Sequence, residues 1–395
     1  MPPMQSRSKP ITPRAFSCRC GRPVFFGNIQ CLGCGTPLGY DPASRELLAL
    51  ELAQDELAQP AAQESSSGSV PACVVPTVRL LWRSADDNHN GARFWRCGNL
   101  NSAAACNWLV AEQDGGQALA SLCCCCRLTR TIPDLAVSEH RLWWNRIEEA
   151  KRRLVSSLMG LNLPVRPKAE DPEHGWVFDL LRSVPGEPPV ITGHADGVIT
   201  LDIQEADNAW REQRRNDLAE PYRTLLGHLR HESGHYYWER LVQTGVWLLP
   251  FRELFGDEQQ DYTAALQQHY AQGGAAQWQG LFVSAYASSH PWEDWAETWA
   301  HYLHMVDTLD TASSFGLDGE RVELSYERFG SQVVDSGDAQ GQAFLRLTNG
   351  WMELTGVLNE LSRSMGVADF YPFVLSAQVV KKLYLVHRVI AQGAP

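Results

Sequence analysis

All 11 cysteines of this 395-residue chain fall between Cys18 and Cys126, and none occurs in the 269 residues that follow. The chain is thereby split into a part that can fold around thiol chemistry and a longer part that needs an ordinary hydrophobic core. The first cysteine set lies in FSCRCGRPVFFGNIQCLGCGTPLGY, where Cys18-x-Cys20 and Cys31-x-x-Cys34 are followed by Gly21 and Gly35. Two tight turns of this kind bring four thiolates onto one ion, and glycine accepts the positive φ that such turns often need. Cys97, Cys106, Cys123 and Cys126 form a second four-thiolate set. Cys124 and Cys125 read as spare thiols or competing ligands, and Cys73 as an inert lone thiol. The spacings favour two structural zinc sites over disulfides, and the start MPPMQSRSKPITPRAF has no apolar secretory core. A cytoplasmic address is expected, with KPITP a flexible tail rather than a self-blocking segment.

The pattern divides the chain into a zinc ribbon with a short helix over ASRELLALELAQDELA (1–58), a linker (59–75), a second ribbon-like unit (76–137) and a large domain (138–395). The linker, Pro60 to Pro71, is small and polar. Hydrophobic residues make up 44% and charged residues 20% of the chain, as expected of a globular protein. No apolar run reaches the roughly 18 residues of a membrane span. Residues 1–130 hold 12 basic and 10 acidic residues, and the rest 22 and 36. That balance argues against a nucleic-acid partner.

In the large domain, SEHRLWWNRIEEAKRRLVSSLMGL reads as a serine-capped helix and GHADGVITLDI (193–203) as a strand. PYRTLLGHLRHESGHYYWERLV reads as a helix with no internal proline, and it carries His231-Glu232-Ser233-Gly234-His235. One helical turn separates His231 from His235, so both imidazoles can bind one metal. Glu232, about 100° round the helix, can reach a water on that metal without ligating it. This chemistry belongs to zinc hydrolases, with Glu232 as general base. His228, one turn earlier, suits packing or support.

A third ligand is needed. In SAYASSHPWEDWAETWAHYLH, Pro291 and the acidic Glu293 and Asp294 suit the first turn of a helix. Glu293, Glu297, His301 and His304 fall along one stripe, and Trp292, Trp295, Trp299 and Leu303 along a neighbouring stripe suited to the core. Glu293 is the preferred ligand, with Glu297 supporting a histidine; Glu297 and His301 remain open as ligands. Tyr286 and His304 are candidate oxyanion donors, with His290 and Tyr302 also within the segment.

Together these residues resemble the bacterial zinc-binding metallopeptidases that carry an N-terminal zinc-ribbon region. The resemblance covers nearly the whole chain, through FSCRCGRPVFFGNIQCLGCGTPLGYDP, CRLTRTIPDL, GHADGVITLDIQEAD, EPYRTLLGHLRHESGHYYWERLV and HPWEDWAETWAHYLHMVDTLDTA. It implies a zincin-like domain in which His231 and His235 bind zinc and Glu232 is the base. EDWAETWA is similar to the third-ligand helix of gluzincins, which implies Glu293 over Glu297. CCCC at 123–126 departs from the family's CxxC and leaves the second ribbon's pairing open.

The expected fold is α+β: zinc-ribbon units, then a mostly helical zincin-like domain with a small sheet. The expected function is a zinc metallopeptidase holding one catalytic and two structural zinc ions, acting on peptide or protein. The ribbons would be structural or recruit a protein partner. The competing readings are a ribbon binding module beside an idle zincin domain, and a zinc hydrolase of a non-protein amide.

Overall fold

The computed structural model describes residues 10–53, 80–86, 91–114, 121–217, 220–272, 278–317, 322, 324–334 and 339–393. The expected linker at 59–75, and Cys73 with it, lies outside the described residues. Residues 15–127 form one compact unit; residues 128–395, together with the N-terminal segment through Arg14, form another.

The cysteine-bearing unit begins with a short hairpin, β1 (Phe16–Ser17) and β2 (Pro23–Val24). An antiparallel sheet follows, in the order β3 (Leu38–Asp41), β4 (Glu46–Leu52), β5 (Leu81–Ser84), β6 (Arg93–Arg96) and β7 (Leu109–Ala111). This one sheet runs from the first cysteine set to the second, so the two expected ribbon units are one. The helix expected over ASRELLALELAQDELA is instead the strand β4. Leu47 to Leu50 are all buried, and β4 pairs with a neighbour on each side. A run of four apolar residues has no polar face for an exposed helix, whereas a central strand buries both faces. Asp41 closes the β3–β4 turn by accepting from the Ala43 and Ser44 amides.

The larger unit holds a four-stranded sheet in the order β10, β11, β9, β8. Its strands are β8 (Thr129–Thr131), β9 (Val177–Leu181), β10 (Gly193–Ala195) and β11 (Val198–Asp202). β8 and β11 run parallel to β9, and β10 antiparallel to β11. The single strand expected at 193–203 is thus a hairpin. Asp196 and Gly197, at φ 46° and 69°, make its two-residue turn, and Asp-Gly favours that geometry.

The helices are α1 (Ser138–Gly160), α2 (Asn208–Asp217), α3 (Leu225–Leu241), α4 (Leu248–Phe255), α5 (Tyr262–Gln272), α6 (Pro291–Ser314), α7 (Ala339–Ser364) and α8 (Ala377–Gln392). Thr224 caps α3 by accepting from the Gly227 amide. His290 caps α6, with Pro291 in its first turn. Trp295, Trp299 and Leu303 are fully buried, as their stripe on α6 implied. No described helix is long and apolar enough to cross a membrane.

Where a flexible tail was expected, residues 10–14 are tied down. The Ile11 and Thr12 amides donate to Asp310, and the Arg14 guanidinium to Asp307, Ser156 and Ser157. Gly160 makes room for the segment: a Cβ there would lie 2.3 Å from the Thr12 hydroxyl. Polar side chains meeting buried backbone donors, not hydrophobic pattern, order this stretch.

Candidate metal centre

The centre is built on two helices brought unusually close. A Cβ on Gly234 of α3 would lie 2.9 Å from the Ala296 Cα of α6. Two tryptophans of α6 lock the contact: Trp295 Nε1 donates to the Gly234 carbonyl and Trp299 Nε1 to Ser233 Oγ. Glu293, one turn earlier on α6, then reaches the two histidines of α3. His231 Nε2 and His235 Nε2 are 3.1 Å apart, and Glu293 Oε2 is 3.0 and 3.5 Å from them.

These spacings can be tested against zinc. Tetrahedral ligands at ~2.0–2.1 Å from the ion stand ~3.3 Å from one another, and the three observed separations bracket that value. Glu293 Oε2 and Glu232 Oε2 are buried and make no hydrogen bond among the described residues. Unpartnered buried carboxylate oxygens are costly unless something else satisfies them. The donor set fits zinc.

Glu297 lies behind His231, its Oε1 2.8 Å from His231 Nδ1, while Ser284 Oγ donates to Glu297 Oε2 at 2.7 Å. Burial works against the Glu297 carboxylate, but the bond and charge of His231 and the Ser284 hydroxyl hold it at about 2. An ionised carboxylate only accepts, so the proton between them sits on Nδ1, and Nε2, which faces Glu293 and His235, is the nitrogen left to ligate a metal once it is deprotonated. Glu293 is also held well below the usual carboxylate range: the two histidines outweigh its burial.

The other candidates divide. Tyr286 stands with its ring 5.9 Å from that of His231. Burial first, then the charge of Glu293, raises its phenol, which therefore stays a donor. His304 is elsewhere: its Nδ1 faces Arg230 Nη1 at 2.5 Å, and Arg230 also pairs with Asp307. That contact, beside a cation, makes His304 an acceptor in a buried ion network rather than an oxyanion donor. His290 uses both ring nitrogens, one on the Trp292 amide and one on the Gln260 carbonyl. His301 bonds Tyr371, Tyr302 bonds His387, and His228 faces Glu205. Trp292, expected in the core stripe, packs instead on His235 with ring centroids 4.0 Å apart. Residue order does not announce Ser284 or the close approach at Gly234; the glycine inside HESGH is the available signal.

In the cysteine-bearing unit, the sulfurs of Cys18, Cys20, Cys31 and Cys34 converge, as do those of Cys97, Cys106, Cys123 and Cys126. The Cys18–Cys34, Cys20–Cys31 and Cys106–Cys123 sulfurs are 3.6, 3.8 and 3.7 Å apart. Four thiolates at ~2.3 Å from one zinc would be ~3.8 Å apart. Cys124 and Cys125 stand outside the converging set. Burial pushes the Cys124 thiol up to about 11, which leaves it protonated.

A His–His–carboxylate cluster on two packed helices, in a chain that also carries two four-thiolate sets, defines the class as a zinc-binding metallopeptidase with a zinc-ribbon region. The chain belongs to that family: residues 140–389 match the model described as "Putative zinc-binding metallo-peptidase", and residues 15–137 match a zinc-ribbon domain. It is 40% identical over 385 residues to proteins of Mycobacterium tuberculosis and Mycobacterium bovis, covering 97% of this chain and 96% of theirs. Both relatives carry the name uncharacterized protein. No solved structure gives a significant match.

Proposed function

We propose that this chain is a zinc-dependent peptidase in which His231, His235 and Glu293 hold the catalytic ion and Glu232 is the general base. The observation that carries the reading is the triangle of ligand atoms, with sides of 3.0, 3.1 and 3.5 Å. Zinc bound there supplies Lewis acidity, lowering the pKa of water toward ~7 and polarising a carbonyl.

The chain's own residues do the rest. Glu297 and Ser284 hold His231 in the tautomer that ligation needs. Glu232, whose Oε2 has no hydrogen-bond partner among the described residues, takes a proton from the attacking water as its oxygen bonds to the amide carbon. It then delivers that proton to the nitrogen as the carbon–nitrogen bond breaks. The Tyr286 phenol donates to the oxygen that gains charge. The two thiolate sets each hold one structural zinc, for three ions per chain, and offer a surface on which a protein partner could be recruited.

The test is hydrolysis of an unfolded protein substrate by the wild type and by Glu232→Gln. The proposal expects the variant to keep three zinc ions and lose at least 100-fold in kcat, the general-base contribution. Wild-type zinc content without any peptide hydrolysis would redirect the chemistry to a non-protein amide. Full activity in Glu232→Gln would end the mechanism.

A further inference from the structure

One side chain at the centre has no part in the chemistry described so far. Tyr262, the first residue of α5, donates its hydroxyl to Glu293 Oε1 at 2.7 Å. The segment before α5 is tethered to the start of α6, because His290 caps α6 through the Trp292 amide and reaches the Gln260 carbonyl with its other nitrogen. Asp261 accepts from the Ala264 amide and fixes the first turn of α5. The Tyr262 ring stands edge-on to His290 and Trp292, at 5.2 and 5.9 Å. The phenol is thus held in place from both sides.

The two oxygens of Glu293 have different surroundings. Oε1 is taken by Tyr262, whereas Oε2 has no hydrogen-bond partner among the described residues and faces both imidazoles. We propose that Tyr262 is a positioning residue that restricts Glu293 to binding the metal through Oε2 alone, keeping a coordination position open for water. This rests on the reading of Glu293 as the third ligand. The last torsion of a glutamate is broad. Without the phenol, Oε1 would be a buried acceptor lacking a donor, and the carboxylate would turn to present both oxygens to the ion.

The test uses the full chain as Tyr262→Phe, with zinc affinity followed by chelator competition. A second readout is the visible spectrum of cobalt placed in the third site, the thiolate sites keeping zinc. The expected result is a 10- to 100-fold weaker third ion, the size of loss typical of groups that orient a metal ligand. The cobalt absorption should weaken as the coordination number rises, and retention of the other two ions reports an intact fold. Tyr326→Phe, which removes a phenol bonded to the Asn349 carbonyl rather than to a residue of the centre, should change neither readout, and an equal loss there would overturn the proposal. Glu293→Gln separates the two claims. If it retains the third ion, the ligand assignment fails. If it loses the ion while Tyr262→Phe binds within twofold of wild type with an unchanged spectrum, only the role of Tyr262 fails.

Discussion

Gly234 and Ala296 meet so closely that one added methyl group on the glycine would fall 2.9 Å from the alanine Cα. The first lies between the two histidines of HESGH and the second lies three residues beyond Glu293, so this contact sets how far the carboxylate stands from the imidazoles. Because the obstacle is backbone, it yields only by separating the helices. Gly234→Ala should cost about 1–3 kcal/mol, as overpacking does, and weaken the third zinc ion with no effect on the other two. Thermal unfolding combined with chelator competition would check both parts.

Glu297 lies 2.8 Å from His231 Nδ1. Glu297→Ala should therefore weaken zinc about 10- to 100-fold through loss of the His231 tautomer. Ser284→Ala, which removes only the donor to the far oxygen, should produce a smaller loss in the same titration.

Much of the centre could be read from residue order, because helical periodicity alone puts His231 with His235, and Glu293 with Glu297, on one stripe of its helix. The cysteine sets were legible for a similar reason: spacing on tight turns is a local property. Three features were not. The strand β4 reads as a helix in the sequence, since LLALEL has no period that separates a fully buried strand from a helix. Residues 10–14 read as a tail in the sequence because their order depends on Asp307 and Asp310, about 300 residues away. Tyr262 reaches Glu293 across 31 positions through a loop, with no sequence signal to announce it.

The N-terminal segment makes its own prediction. Arg14 and Asp307 form a buried pair at 3.0 Å, to which Arg153 and Arg230 add further contacts. Removing the Arg14 side chain should destabilise the larger unit by on the order of 3 kcal/mol, the scale for breaking a buried pair. Unfolding by denaturant at neutral pH measures this.

The same aspartate sets an acid limit. Burial alone would raise the Asp307 carboxyl, but the charges of Arg230, Arg14 and Arg153 hold it well below the ordinary carboxylate range. Its stabilisation is complete above the unfolded value of ~3.9 and is lost as pH falls below that toward the folded value. Asp310, raised to about 6 mainly by burial, acts oppositely, with stability falling as pH rises from ~4 to about 6. Stability measured against pH should drop steeply below ~4 in the wild type and less steeply in Arg14→Ala, where Asp307 has lost one cation.

The central claim is that two imidazoles of α3 and one carboxylate of α6 hold an ion separate from those of the thiolate sets. Zinc content by mass spectrometry, on the purified wild type and on a His231→Ala, His235→Ala double variant, tests it most directly. The account predicts three zinc ions per chain in the wild type and two in the variant. Equal zinc content in the two proteins would contradict it.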